Sequence, residues 1–315
     1  MKFGRNLLAI MAIVFTGSAC APVFASFGQP ENKQLYNLPT VYESSFARVV
    51  SDCRIPKAEA KAVAAMVTDA VNFDMEALGW TSKSLKKKYC VAILSTAYAK
   101  KTLNAEPGGE ALELDLLASN YENYKKDKIR FSTVLAHEIA HLLVYRTLNG
   151  LNPRQLGWSR PWDEGLAQSL EYRFDLAKHK YLYPSGRIPA RSYDNRLTAD
   201  DAIWLFQQEK FVARKEGYDL DKKEQERWAD CVYPLGRQFI EFIRVDLNGS
   251  GCPNAITKIA RVVYEMANTH QMFDVEFKRE FGIDLVDVQN QFVEHLRETQ
   301  NNPKIRFIKG IISPN

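Results

Sequence analysis

An uninterrupted helical stretch across residues 131–148 is the feature that most constrains the fold of this 315-residue sequence. No Gly or Pro occurs in it, and its apolar residues recur at helical spacing. It contains an H-E-x-x-H motif made by His137, Glu138 and His141. Residues four apart lie on one face of a helix, so both imidazoles point the same way. The stretch therefore predicts a buried helix with two histidines on one side.

The chemistry of this motif suits a zinc ion. His137 and His141 can supply two of the four tetrahedral bonds that zinc takes. Glu138, beside the first histidine, can accept a proton from a zinc-activated water. The alternative is a core helix whose histidines are satisfied by hydrogen bonds. We favour the metal, because polar groups beside apolar neighbours are costly to bury unless they are paired.

Two histidines do not complete a zinc site, so a third ligand is needed. Glu164, at the start of the next predicted helix, is the natural candidate. Its alternative role is a charge that complements the helix dipole. Asp163, Glu171 and His179 remain weaker candidates for the third ligand.

The N-terminus is typical of a secretory signal peptide. Lys2 and Arg5 precede a short apolar run at 7–15, and small residues predict cleavage after Ala25. We therefore expect residues 1–25 to be a signal peptide and the protein to be periplasmic or secreted. The minority alternative is a lipoprotein anchored through Cys20.

Charge argues against two classes of partner. Removal of Lys2 and Arg5 lowers the net charge from +4 to +2, which implies no strong attraction to nucleic acid or anionic membrane. No later apolar run is long enough for a transmembrane span.

Four cysteines remain after the predicted cleavage. An even number in an exported protein predicts two disulfides. Three connectivities are possible, and the sequence does not choose between them. The preferred pairs are Cys53–Cys90 and Cys231–Cys252, because each pair stays within one half of the chain.

The pattern of elements predicts an α+β fold, in which a small N-terminal sheet packs on the H-E-x-x-H helix and a mainly helical half follows. The N-terminal subdomain spans 26–149, the helical subdomain 150–300 and a tail 301–315. In the first subdomain we expect a helix at 58–78, a buried strand at 89–94 and a half-exposed edge strand at 112–116. In the second we expect helices from 162, from 198, at 224–245, at 255–266 and at 286–297. Pro234 should kink or restart the helix that contains it.

The order of these features resembles the gluzincin metallopeptidases, in particular the short peptidase-MA-like group. In that group the second motif commonly reads Glu-Gly-x-Ala, as it does at residues 164–167. Tyr233 and the helix after it look like the family's tyrosine helix, and 277–296 resembles its closing segment. The resemblance covers roughly residues 85–298.

This resemblance implies a zinc-dependent peptidase with one zinc ion per chain on His137, His141 and Glu164. It implies Glu138 as general base and Tyr233 as oxyanion donor, with His270 as the rival donor. The substrate would be a peptide or protein. An endopeptidase is favoured over an aminopeptidase. Related aminopeptidases hold the free N-terminus of a substrate with a Gly-x-Met-Glu-Asn sequence, which is missing here, and residues 109–111 match it only weakly.

The alternative function is an envelope binding or assembly factor that keeps a structural zinc site without proteolysis. Glu138 argues for catalysis, since a structural site needs no base. Such a site also usually closes its fourth position with a protein ligand, and the sequence offers no obvious one.

Overall fold

A computed structural model describes residues 25–26, 33–81, 88–98, 116–149, 151–153, 155–179, 197–215 and 222–301. The fold is α+β, with a small N-terminal sheet followed by a mostly helical remainder, as the sequence predicts. The chain divides into two compact units. The first comprises Met1–Asn72 and Lys83–Leu142, and the second Phe73–Ser82 and Leu143–Asn315.

The first unit contains a mixed sheet of five strands, which are β1 (Ala25–Ser26), β2 (Thr40–Glu43), β3 (Ala47–Val50), β4 (Tyr89–Leu94) and β5 (Leu116–Asn120). Their order is β1-β5-β4-β3-β2. The central pairs β3–β4 and β4–β5 are parallel, and the outer pairs are antiparallel.

Strand β4 is the centre of this sheet, and all six of its residues are buried. A continuous apolar run predicts such a strand, because a parallel strand that is covered on both faces shows no alternation. Leu35, on the short helix α1 (Lys33–Tyr36), packs against Cys90, Ala92 and Leu94 of β4. Strand β5 lies between β4 and β1, so its described residues do not form an edge strand. Residues 112–115 of the predicted edge strand lie outside the described part of the chain.

Helices make up most of the remaining described chain. They are α2 (Lys57–Leu78), α3 (Tyr121–Lys126), α4 (Lys128–Leu148), α5 (Arg160–His179), α6 (Ala199–Lys215), α7 (Lys222–Val245), α8 (Ala255–Thr269), α9 (Phe273–Phe281) and α10 (Leu285–Asn301). The predicted end of α2 at residue 78 is confirmed, and the next residue, Gly79, has a φ of 70°.

The predicted start of α6 is also confirmed. The Thr198 hydroxyl accepts from the Asp201 amide at 3.1 Å, and Asp201 Oδ2 accepts from the Thr198 amide at 3.0 Å. This reciprocal pair satisfies two backbone donors that a helix start leaves without an intrahelical partner.

The core of the second unit is aromatic. The ring of Trp162 lies 4.8–5.6 Å from those of Phe239, Phe273 and Phe277, measured between centroids. Phe239 also contacts Phe292 on α10, at 5.1 Å. These contacts tie α5, α7, α9 and α10 together around the first turn of α5.

Helix α7 runs through Pro234 as one element, so the predicted restart does not occur. Proline removes one backbone donor from the helix interior. The helix continues because its apolar face is buried on both sides of the proline, at Cys231 and Val232 before it and at Leu235 and Phe239 after it.

Both predicted disulfides are wrong, since none of the four described cysteines forms a disulfide. In the first unit, parallel pairing sets Cys90 opposite Arg48, whereas Cys53 lies beside Ser51, whose hydroxyl donates to the Ile93 carbonyl. Three residues of a strand separate Cys90 from Ile93, about 10 Å. Disulfides need Cα atoms within ~7 Å of each other.

The second pair fails because α7 is continuous. The Cys252 amide donates to the Ile243 carbonyl at 2.9 Å, which places Cys252 at the end of α7. Cys231 precedes Ile243 by twelve positions in the same helix, or ~18 Å along its axis. Burial and then the charge of Asp201 raise the pKa of the Cys231 thiol to about 12.

Several predictions fall outside the described residues, namely nearly all of the signal peptide 1–25, Cys20, the segment 109–111 and the tail beyond Asn301. Within the described helices, none combines the length and the apolar character that a membrane crossing requires.

Candidate metal centre

Helix α4 presents both histidines of the motif on one buried face. It begins after Asp127, whose Oδ1 accepts a hydrogen bond from the Arg130 amide at 2.8 Å, as an N-cap residue does. His137 and His141 are 8% and 7% exposed, one helical turn apart. The helix therefore holds two imidazoles where the surrounding protein excludes most water.

The two rings face each other through their Nε2 atoms. These atoms lie 3.1 Å apart, with the ring planes at 77°. Two nitrogens that bind one tetrahedral zinc at 2.0–2.1 Å are separated by about 3.3 Å. The observed spacing thus fits shared coordination of one ion.

Helix α5 supplies the third member of the group. Glu164 lies in its second turn and is 3% exposed. One ligand atom from each of His137, His141 and Glu164 lies within 4.8 Å of the others, and these three residues are called the metal group below. Among the residues that the structure describes, these form the one group of three or more His, Cys, Asp or Glu side chains able to hold a metal.

Arg160 contacts Glu164 from one turn earlier on α5. Its Nη2 lies 2.9 Å from Glu164 Oε1, and its guanidinium hydrogen-bonds the Tyr233 phenol on α7. Burial works to lower the pKa of Arg160, but the Glu164 carboxylate, then Tyr233, outweigh it and hold that pKa above its ordinary value. Arg160 therefore remains a cation beside the metal group.

Asp163, a rival for the third ligand, has a different position. Its Oδ2 accepts from the Tyr145 hydroxyl at 2.9 Å, and its Oδ1 accepts from Trp158 Nε1 at 3.2 Å. Tyr145 lies one turn after His141 on α4. Asp163 thus holds α5 against the end of the histidine helix and does not belong to the metal group.

The other rivals also lie outside the metal group of the described residues. Glu171 is buried two turns beyond Glu164, and His179 lies at the end of α5 with its ring 6.1 Å from that of Phe174.

The proposed catalytic residues occupy distinct environments. Glu138 follows His137 directly and is half-buried, so water has access to it. Tyr233 is half-buried and reaches Arg160. His270 instead ends α8 in the left-handed conformation (φ 58°), exposed, with its amide bonded to the Met266 carbonyl. The structure gives His270 a capping role.

Comparison with known proteins gives no relative. No family model, curated protein or solved structure matches this chain. The likeness to gluzincins therefore stands on the motif residues and on the buried His137, His141 and Glu164 group, which is consistent with a gluzincin-like site.

Sequence reasoning missed two residues beside the group, Arg160 and Tyr145. The sequence could have predicted both, since Arg160 precedes Glu164 by four positions and Tyr145 follows His141 by four. Side chains at this spacing are neighbours on a helix.

Proposed function

We propose that the protein is a zinc-dependent peptidase. The single observation that carries this proposal is the buried group of His137, His141 and Glu164 on two helices. Two imidazoles and one carboxylate form a donor set typical of catalytic zinc, which leaves one coordination position open. A zinc ion held by these three residues would act as a Lewis acid and lower the pKa of a water molecule at the site.

The side chains beside the group suit hydrolysis of a peptide bond. Glu138 accepts the proton of the attacking water and later delivers it to the leaving amine. Its half-buried position supports this role, because a general base must meet both solvent and substrate. Tyr233 donates a hydrogen bond to the oxygen that becomes negatively charged. The contact of Tyr233 with Arg160, and of Arg160 with Glu164, supports its place in the site.

The substrate and the compartment are part of the proposal. We propose a peptide or protein substrate, cut internally, because the sequence lacks the motif by which related aminopeptidases hold a free N-terminus. The charged and apolar start of the sequence supports export to the periplasm or the exterior.

The test is metal analysis combined with cleavage of an unbiased peptide library by the purified protein. We expect about one zinc per chain in wild type. Glu138→Gln should keep zinc and fold, but lower turnover by about 10²–10⁴-fold, because an amide cannot accept the proton. The matched control is Glu122→Gln, which removes an exposed carboxylate on α3. It should leave zinc content and turnover unchanged.

Two outcomes would contradict the proposal. Wild type purified without chelator that carries no divalent metal refutes the metal centre. A protein that binds zinc in wild type and in Glu138→Gln, yet cleaves no peptide in either form, supports the alternative of a binding or assembly factor with a structural metal.

A further inference from the structure

The guanidinium of Arg160 contacts two residues of the proposed centre that come from different helices. On α5 it forms an ion pair with Glu164, from Nη2 to Oε1 at 2.9 Å. On α7 it hydrogen-bonds the phenol of Tyr233. We propose that Arg160 is a positioning residue that orients both the metal ligand Glu164 and the oxyanion donor Tyr233. This inference rests on the proposed function.

The Arg160 bridge, meaning the contacts of Arg160 with both Glu164 and Tyr233, lies at a close crossing of α5 and α7. A Cβ at Gly165 would lie 2.5 Å from the Gly236 carbonyl carbon, and one at Gly236 would lie 2.4 Å from the Pro161 carbonyl oxygen. These glycines stand one residue after Glu164 and three after Tyr233. The backbones that carry the two partners of Arg160 therefore touch, which fixes the span the guanidinium must bridge.

Arg160 is itself held in place. Glu164 follows it by one helical turn, the spacing at which side chains on a helix meet. Its Cζ lies 6.0 Å from the ring centroid of Trp228 on α7, within the range of a cation–π contact. The guanidinium thus has one partner on its own helix and two on the facing one.

The bridge has a separate consequence for each partner. The ion pair through Oε1 restricts rotation of the Glu164 carboxylate, and so limits the directions in which its oxygens can point. A phenol oxygen that accepts from Arg160 keeps its own proton for donation to another acceptor. Arg160 therefore leaves Tyr233 as a donor of fixed direction, which an oxyanion contact requires.

The role calls for arginine specifically. Its planar fork offers several N–H donors in a fixed geometry, so one side chain can serve two oxygens at once. Lysine carries the same charge on one nitrogen and cannot reproduce that fork. Arg160→Lys therefore keeps the positive charge but loses the bridge, so it distinguishes the effect of the bridge from that of the charge.

The first test measures zinc affinity of metal-free protein by competition with a chromophoric chelator. Arg160→Met should weaken zinc binding by ~10–100-fold, the usual effect of losing a residue that contacts a metal ligand but not the metal itself. The matched control is Arg237→Met, which removes another arginine of the same helix pair, stacked 5.9 Å from the ring of Tyr172. The control should bind zinc as wild type does, and circular dichroism should show that each variant is folded.

The second test uses Co²⁺ in place of zinc and reads its visible spectrum, which reports ligand geometry without any turnover. Arg160→Met and Arg160→Lys should both change the spectrum, whereas Arg237→Met should not. A wild-type zinc affinity and a wild-type Co²⁺ spectrum in both Arg160 variants would overturn the role toward Glu164.

The role toward Tyr233 is tested by a double-mutant cycle on kcat. Tyr233→Phe should lower kcat by ~10²–10³-fold in wild type, but by much less in Arg160→Lys, because the donor is already misdirected there. Equal losses in both backgrounds would overturn this half of the inference. The metal titration and the Co²⁺ spectrum need no substrate, so failure of the peptidase proposal is distinguishable from failure of the bridge.

Discussion

Two adjacent buried carboxylates, Asp163 and Glu164, do different work because helix geometry turns them apart. Neighbouring residues of an α-helix do not face the same side. Asp163 accepts from Tyr145 and Trp158, so both of its oxygens are used in holding α5 to its surroundings. Glu164 pairs with Arg160 and joins the histidine group.

This difference predicts opposite phenotypes for the two residues. Glu164→Ala should lower zinc affinity by more than ~100-fold, since it deletes a ligand and not an outer-shell partner. Asp163→Asn should keep zinc affinity near wild type but lower the free energy of unfolding by ~1–3 kcal/mol, because its amide nitrogen cannot accept from a buried donor. Zinc titration and denaturant unfolding measure the two quantities.

Glu171→Ala is the matched control, since it removes another buried carboxylate of α5 outside the metal group. Its zinc affinity should equal that of wild type. If Asp163→Asn loses zinc while Glu164→Ala retains it, the roles of the two carboxylates are exchanged.

At the residue scale, the sequence was enough to predict the histidine pair. It predicted the third ligand only as one of several candidate residues. Spacing alone sets His137 and His141 on one face of any helix that contains them. The sequence does not show which face of α5 is turned toward the histidines, so it leaves both Glu164 and Asp163 as candidates. The sequence places the start of α5 at Trp162, and the structure at Arg160. No local pattern reveals that Asp163 meets Tyr145, because that contact depends on how α5 packs against the end of α4.

At the scale of elements, the crossing of α5 and α7 depends on two glycines without side chains. Glycine in a helix interior is ordinarily destabilising relative to alanine by ~1 kcal/mol. Its use here is explained by the approach of the two backbones at Gly165 and Gly236. A methyl group at either position would meet backbone atoms, which cannot rotate away.

Gly236→Ala should therefore destabilise the protein in spite of its better helix propensity. We expect a loss of at least ~1–3 kcal/mol, the cost of overpacking, together with weaker zinc binding through displaced Glu164. Gly249→Ala is the comparison, since it has open space around the added methyl and only a strained φ of 74°. It should cost about 1–2 kcal/mol, because an L-residue is strained in the left-handed conformation, and leave zinc affinity intact. A Gly236→Ala protein as stable as wild type would mean that the helices separate without penalty.

The elements themselves were predictable where burial dictates a simple pattern. Strand β4 has the predicted limits, because a continuous apolar run suits a strand covered on both faces. The disulfides failed because two long-range facts were invisible, namely the parallel register of β3 with β4 and the continuity of α7 through Pro234. A proline warns of a break, but tertiary packing of the helix face overrides it.

At the scale of the whole molecule, the metal group draws its ligands from two separate helices. His137 and His141 come from α4, and Glu164 from α5, the next helix along the chain. The unfolded chain lacks this arrangement, so a metal that binds the folded protein selectively stabilises it. Metal binding should therefore be visible in the unfolding of the entire protein.

Zinc at a free concentration of 1,000 times its Kd should stabilise wild type by ~4 kcal/mol relative to chelator-treated protein. Thermal unfolding, followed with and without zinc, measures this shift. His137→Ala should melt near the temperature of metal-free wild type and gain little from zinc, because one of three ligands is gone. Glu138→Gln should gain as much as wild type, since its glutamate is not a ligand. If zinc stabilises His137→Ala as much as wild type, the ion binds elsewhere and the group on α4 and α5 is not the metal site.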